Sequence, residues 1–143
     1  MSWKWAARTP GADANAIKVA IIDKGADITL SLDGALTTST VGTQVQTASG
    51  SPNGAKSGFI YEWDSVNNKV SLITSDTWTT TDVIENGVTD LNVTAKADWY
   101  DSQVAYGNVN WNSIAPRPGT SPYVSTRGGA NDEMHVIVYD ATG

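Results

Sequence analysis

Phe59-Ile60-Tyr61-Glu62-Trp63, a polar stretch from Asp64 to Asn68, then Lys69-Val70-Ser71-Leu72-Ile73-Thr74: two runs rich in β-branched and aromatic residues flank a loop with two adjacent asparagines. Such residues suit a pleated surface, and asparagine tolerates left-handed backbone angles. The segment therefore predicts an antiparallel hairpin. The pattern extends upstream. Ala16-Ile17-Lys18-Val19-Ala20-Ile21-Ile22-Asp23 is a nearly continuous apolar run with Lys18 as its one interior charge, which predicts a strand buried on both faces at its end. After a Lys24-Gly25 turn, Asp27 to Leu32 alternates, with Ile28, Leu30 and Leu32 on one face. Asp33-Gly34 turns again. Residues 35–57 are rich in Thr, Ser, Gly and Gln. They are expected to be a flexible loop or insertion region, with a weak strand over Thr40 to Thr47 and an exposed loop over Gly50 to Gly54.

Downstream, Thr81 to Glu85 fits a helical turn or a strand, and Val88 to Lys96 reads as a strand with Val88, Leu91, Val93 and Ala95 imperfectly phased. Asp98 to Gln103 suggests one helical turn and Val109-Asn110-Trp111 a short strand. Pro116 and Pro118 exclude regular helix or central strand there. Ser121-Pro122 predicts a helix start, with Ser121 as N-cap, and Arg127-Gly128-Gly129 its end. Glu133 to Asp140 is a strand that must pair with an earlier one or with residues past Gly143. Met1 to Asn15 reads as irregular, with a Pro10-Gly11 turn. No repeat or heptad appears. The expected fold is one α+β, strand-dominated domain over residues 1–143, a mixed β-sheet with few short helices.

A chain of 143 residues without cysteine can bury a real core without staples. It has no disulfide framework, Cys-based zinc site or thiol nucleophile. A net charge of −6 argues against nucleic acid and anionic membranes as partners. No apolar run could cross a bilayer as a helix, and no apolar segment of a signal peptide follows Met1. A cytoplasmic origin is the expectation.

Candidate chemistry is sparse. The one histidine, His135, lies inside the last strand and reads as a half-buried strand residue. Asp98 and Asp101 flank Trp99-Tyr100, as a glycosidase pair would, but loop capping explains them as well. Asp132-Glu133 reads as a turn or solvated pair. Gly128-Gly129 lacks the Lys and following helix of a phosphate cradle. Asn92-Val93-Thr94 matches a glycosylation acceptor and reads as incidental. Trp78, Trp99, Tyr100 and Trp111 fit either a sugar platform, making a carbohydrate-binding β-module the alternative function, or packing in a core or interface. No cofactor, metal or catalytic residue is assigned.

Two blocks carry a family resemblance. Ala7-Arg8-Thr9-Pro10-Gly11 followed by Asn15-Ala16-Ile17-Lys18-Val19 and Ile21-Ile22-Asp23 is the first. The second is Ile114-Ala115-Pro116-Arg117-Pro118-Gly119-Thr120-Ser121 with Arg127-Gly128-Gly129-Ala130-Asn131-Asp132-Glu133-Met134-His135-Val136-Ile137-Val138-Tyr139-Asp140. Both resemble segments of the contractile tail sheath proteins of T-even-like myoviruses and their marine relatives, and Trp99-Tyr100 and Trp111 fall where that family's pattern would have them. The middle, Ala35 to Thr89, matches nothing in it. Family members are several times longer, so the resemblance implies an interior fragment. It further implies a structural virion protein, assembled in the host cytoplasm, whose partners are other sheath subunits in rings and the tail tube. The isolated piece is expected to be monomeric. By the same resemblance, Arg117, Arg127 and nearby acidic residues are candidates for a switchable interface, with Trp99, Tyr100 and Trp111 beside them.

Overall fold

The computed structural model describes residues 16–87 and 89–141. Pro10, Gly11, Asn15 and Val88 lie outside the described residues. Strands hold 39% of the described residues and helical turns 9%, so the α+β, strand-dominated expectation holds. The strands are β1 (Ile17–Ile22), β2 (Ile28–Leu32), β3 (Gln44–Gln46), β4 (Ser57–Asp64), β5 (Lys69–Ile73), β6 (Val83–Ile84), β7 (Leu91–Asp98), β8 (Val104–Tyr106), β9 (Val109–Asn110) and β10 (His135–Asp140). Their pairings are antiparallel.

Six of them form one sheet in the order β3-β4-β5-β2-β7-β6. Its two outer strands meet. Thr47 bridges Ile84, Glu85 N donates to Gln46 O at 3.0 Å, and Ala48 N donates to Val83 O at 2.8 Å. The sheet thereby closes into a small barrel and removes its own edges. Alternation decides what fills it: Leu30, Leu32, Val45, Ile60, Val70, Leu72, Ile84, Leu91 and Val93 point inward around Trp78. The hairpin that decided the reading is β4–β5. Asp64 Oδ1 accepts from the N–H groups of Val66 and Asn67, and Asn68 takes a left-handed φ of 50°, as its turn requires.

The 35–57 expectation needs correction. Leu36, Val45, Thr47 and Ala48 are buried, and β3 is the stave that closes the barrel, so this stretch is an integral wall. Its exposed tip, residues 52–55, agrees with the loop reading. Residues 83–84 are strand, not helix. The poor phasing of β7 has a cause: the register with β2 shifts between Ser31 and Leu32, so Leu91 and Val93 are buried while Ala95 is exposed.

The second lobe packs below the barrel. β1 and β10 form a two-stranded ribbon in register from Ile17↔Asp140 to Ile22↔His135. Ala20, Ile22 and Ile137 face a small core of Ala26, Trp99, Tyr100, Ala105 and Trp111. The other face looks outward: Ile21 is 51% and Val138 63% exposed. The expectation that β1 is buried on both faces at its end is thus corrected. Only Ile22 is fully covered, because the ribbon has a core on one side alone. Single 3-10 turns at Tyr100–Ser102 and Trp111–Ser113, the β8–β9 pair and the helix α1 (Pro122–Ser125) complete the lobe. The lobes join where Trp99 lies on Gly25. A Cβ at Gly25 would sit 2.1 Å from the indole, and φ there is +56°, so this position needs glycine twice over.

Leu72→Ala, in the barrel centre, should lower the unfolding free energy by about 2–5 kcal/mol. Val138→Ala, on the ribbon's outward face, should change it by no more than about 0.5 kcal/mol. Urea denaturation of the two variants checks the contrast; equal losses would contradict the two-faced ribbon.

Candidate functional site

A segment containing Pro116 and Pro118 lacks two backbone donors and cannot join a sheet interior, so its polar groups need partners from elsewhere. They find them in the segment before β10. His135 Nε2 lies 2.7 Å from Pro116 O. Glu133 Oε2 accepts from Gly119 N at 2.9 Å, Thr120 Oγ1 accepts from Asn131 N at 2.9 Å, and the Asp132 carboxylate accepts from Ser121 N at 2.8 Å and from its hydroxyl at 2.6 Å. The two Ser121 bonds hold the Asp132 carboxyl below its usual pKa. Ser121 Oγ also accepts from Val124 N, capping α1 as expected, with Pro122 in the first turn. Past the helix, Gly128 adopts φ +75°, and a Cβ on Gly129 would meet Val124 at 2.6 Å. Asn131 takes φ 58°, which asparagine tolerates best among non-glycines. Residues 114–121 and 127–140 are therefore one cross-braced strap.

Arg117 anchors this strap to the barrel. Its Nη2 donates to Asp98 Oδ1, its Nη1 lies 3.9 Å from Asp27 Oδ1, and the guanidinium sits 5.7 Å from the Tyr100 ring centroid. Burial raises the Tyr100 hydroxyl's pKa, with the Arg117 charge working against the rise. Arg127 is different: it lies over the exposed Tyr123 ring at 3.7 Å and donates to Tyr123 O at 3.0 Å, on the open surface. Of the two arginines expected at an interface, the structure makes Arg117 an internal tie and leaves Arg127 outward.

The aromatic candidates turn inward. Trp78 fills the barrel, while Trp99, Tyr100 and Trp111 are nearly fully buried in the small core. They can form neither a sugar platform nor a direct contact with a neighbour, because their faces are spent on Tyr61, Gly25, Ala105 and His135. Trp99 Nε1 is buried without an acceptor among the described residues. Asp98 and Asp101 have separate duties: Asp98 also caps Tyr100 N at 2.8 Å, and Asp101 Oδ1 accepts from Asn112 Nδ2 at 3.1 Å. His135 stacks near Trp111 with centroids 6.2 Å apart, half-buried on the inner ribbon face. Asn92 is tied to Asp33 at 2.6 Å. No cluster of His, Asp and Glu able to hold a metal occurs among the described residues.

Sequence reading missed one feature, a buried ion pair on the barrel wall. Lys56 Nζ lies 2.7 Å from Asp82 Oδ2, with Asp82 wholly buried. Asn53 Nδ2 and Thr79 N also donate to this carboxylate, at 3.0 and 2.7 Å. Burial alone would raise the Asp82 pKa, but these bonds and the Lys56 charge outweigh it and the pKa is lowered. The local signal was Thr79-Thr80-Thr81-Asp82, a capping turn; the lysine 26 residues upstream was not legible.

No protein-family model, curated protein or solved structure matches the chain.

Two outcomes follow. Arg117→Ala should leave the barrel's urea midpoint nearly unchanged, since a part-exposed pair contributes about 1 kcal/mol or less, yet speed amide exchange at Gly119, Ser121 and Asn131. Hydrogen-exchange mass spectrometry reads this, and unaltered protection would refute the anchoring role. Asp82 is ionised in the fold at a pH where the unfolded carboxyl, near pKa 3.9, takes up a proton. Its stabilisation is present above that pH and lost as pH falls through the lower folded value. Asp82→Asn should cost about 3–5 kcal/mol at neutral pH, by stranding Lys56, and flatten the acid limb of a urea-midpoint profile.

Proposed function

We propose that this chain is a structural part of the contractile tail sheath of a tailed bacteriophage, and not an enzyme. The observation that carries the reading is the strap. The residues on which the sheath resemblance rests, from Pro116 through His135, bind one another residue by residue, so the stretch that carries the resemblance folds as one connected unit, as a part that transmits force between subunits would need. A second feature suits it. The outward ribbon face sets Ile17, Ile21, Val136 and Val138 side by side, each at least 43% exposed, an apolar patch of the kind that subunit contacts cover.

In this reading the barrel and the strap are rigid bodies, and contraction is a change in how such bodies pack. The free energy resides in contacts between subunits that have two discrete arrangements. Sheath subunits around the tail tube are the partners, and the virion is the location. Nothing in the mechanism calls for a nucleotide or a cofactor. Arg127, on the surface, is the better of the two arginines for a contact that changes.

An antiserum raised against the chain should decorate the tails of contractile particles made by cells that carry the gene, along the tail's whole length, in negative-stain immunogold microscopy. Label confined to capsids, fibres or particle-free fractions would overturn the assignment.

A further inference from the structure

We propose that the barrel seam binds an uncharged oligosaccharide. This site is separate from the strap and does not rest on the sheath reading. Along β3 and β4 the register pairs Gln44 with Phe59 and Gln46 with Ser57. Directly opposed residues share one face of a sheet with Cβ atoms about 5 Å apart, so two amides, a hydroxyl and an aromatic ring are presented together. Here that face is the outer one: Gln44, Gln46 and Phe59 are exposed, Phe59 at 51%. Beside them lie two hollows, of about 650 and 420 Å³, and Gln44, Gln46, Glu85 and Gly87 line both. The two hollows adjoin along these four residues.

The lining matches a sugar in kind. A pyranose has a flat C–H face and a rim of hydroxyls that both donate and accept. Phe59, outside the lining of both hollows but register partner of Gln44, which lines both, supplies the apolar plane beside them, and glutamine amides both donate and accept. Gln46 Nε2 donates to Glu85 Oε2, which fixes the amide's direction before any ligand arrives. Beneath, Thr47 and Ala48 are buried, and the Lys56–Asp82–Asn53 network stiffens the floor, so little order remains to be imposed on binding.

Charge and backbone narrow the occupant. Asp76, Glu85 and Asp90 face the larger hollow against Lys56 alone, in a chain of net charge −6, which repels anionic polymers. A peptide adding itself as a strand has little open backbone on β3. One side pairs with β4, and on the other Gln46 O and Ala48 N are taken by Glu85 N and Val83 O. Recognition falls to side chains.

The test is a titration of the ¹⁵N-labelled chain with chitotetraose, maltohexaose and cellohexaose at millimolar concentration, read by amide chemical shifts. At least one sugar should give saturable shifts at the Gln44 and Gln46 side-chain amides and around Phe59. Phe59→Ala should weaken binding by about tenfold, which is about 1.4 kcal/mol of lost apolar burial, with the rest of the spectrum unmoved. Gln44→Ala/Gln46→Ala should weaken it as well, whereas Tyr123→Ala should not. Silence from all three sugars, an affinity unchanged by Phe59→Ala, or saturable shifts with a basic peptide such as hexalysine and none with the sugars would each overturn the proposal. The last would make the groove a contact for a protein partner.

Discussion

The guanidinium of Arg117 sits where the chain passes into and out of the barrel. Asp27 precedes β2, Asp98 ends β7, and Ile28 and Asp98 are register partners, so the two carboxylates are brought together by the sheet itself. Like charges so placed disfavour one another; Arg117 pairs with Asp98 and reaches to 3.9 Å from Asp27, whose nearer cation is Lys24 at 2.6 Å. Because Arg117 belongs to the strap, this pairing couples the barrel's neck to everything after it. The strap binds Asp132 and Glu133, those residues lead into β10, β10 holds β1 in register, and β1 leads through Gly25, under Trp99, back to Asp27. The circuit is closed by contacts far apart in sequence, and loosening any link loosens the joint between the lobes.

The two lobes divide the surface between two kinds of chemistry. Among the described residues the barrel's outer strands meet, and its outer wall carries amides, hydroxyls and carboxylates along the seam with Phe59 and Ile73 exposed beside them. The ribbon carries β-branched side chains outward on two strands that have no other sheet partner among the described residues. An apolar sheet face of this sort is a place for another surface to settle.

The sequence signals that succeeded were local. The β4–β5 hairpin, the alternation of Ile28, Leu30 and Leu32, the Ser121-Pro122 helix start and the β10 strand each depend on residues within one turn or one strand, where propensity and periodicity act. Those that failed depended on partners. β3 has three residues and one buried side chain, Val45; the weak strand expected over Thr40 to Thr47 contains it, but nothing in its composition showed that it closes a barrel or that its surroundings are a wall and not a flexible loop. Apolar continuity in β1 implied two covered faces, while the fold supplies a core to one.

By itself the sequence determined that the chain is strand-built, where most strands lie, and that it holds no cysteine chemistry, because these follow from side-chain alternation and composition. It also carried the strap pattern as a string of Pro, Gly, Asn and acidic residues. Only the tertiary structure decided what the string is for, since Glu133 and Gly119, or Asp132 and Ser121, acquire meaning as donor and acceptor when folded together. The same holds for the tryptophans. A large aromatic residue is equally at home in a core, an interface or a sugar site, and burial against Gly25, Ala105 and the barrel staves is what assigned Trp78, Trp99 and Trp111 to the interior.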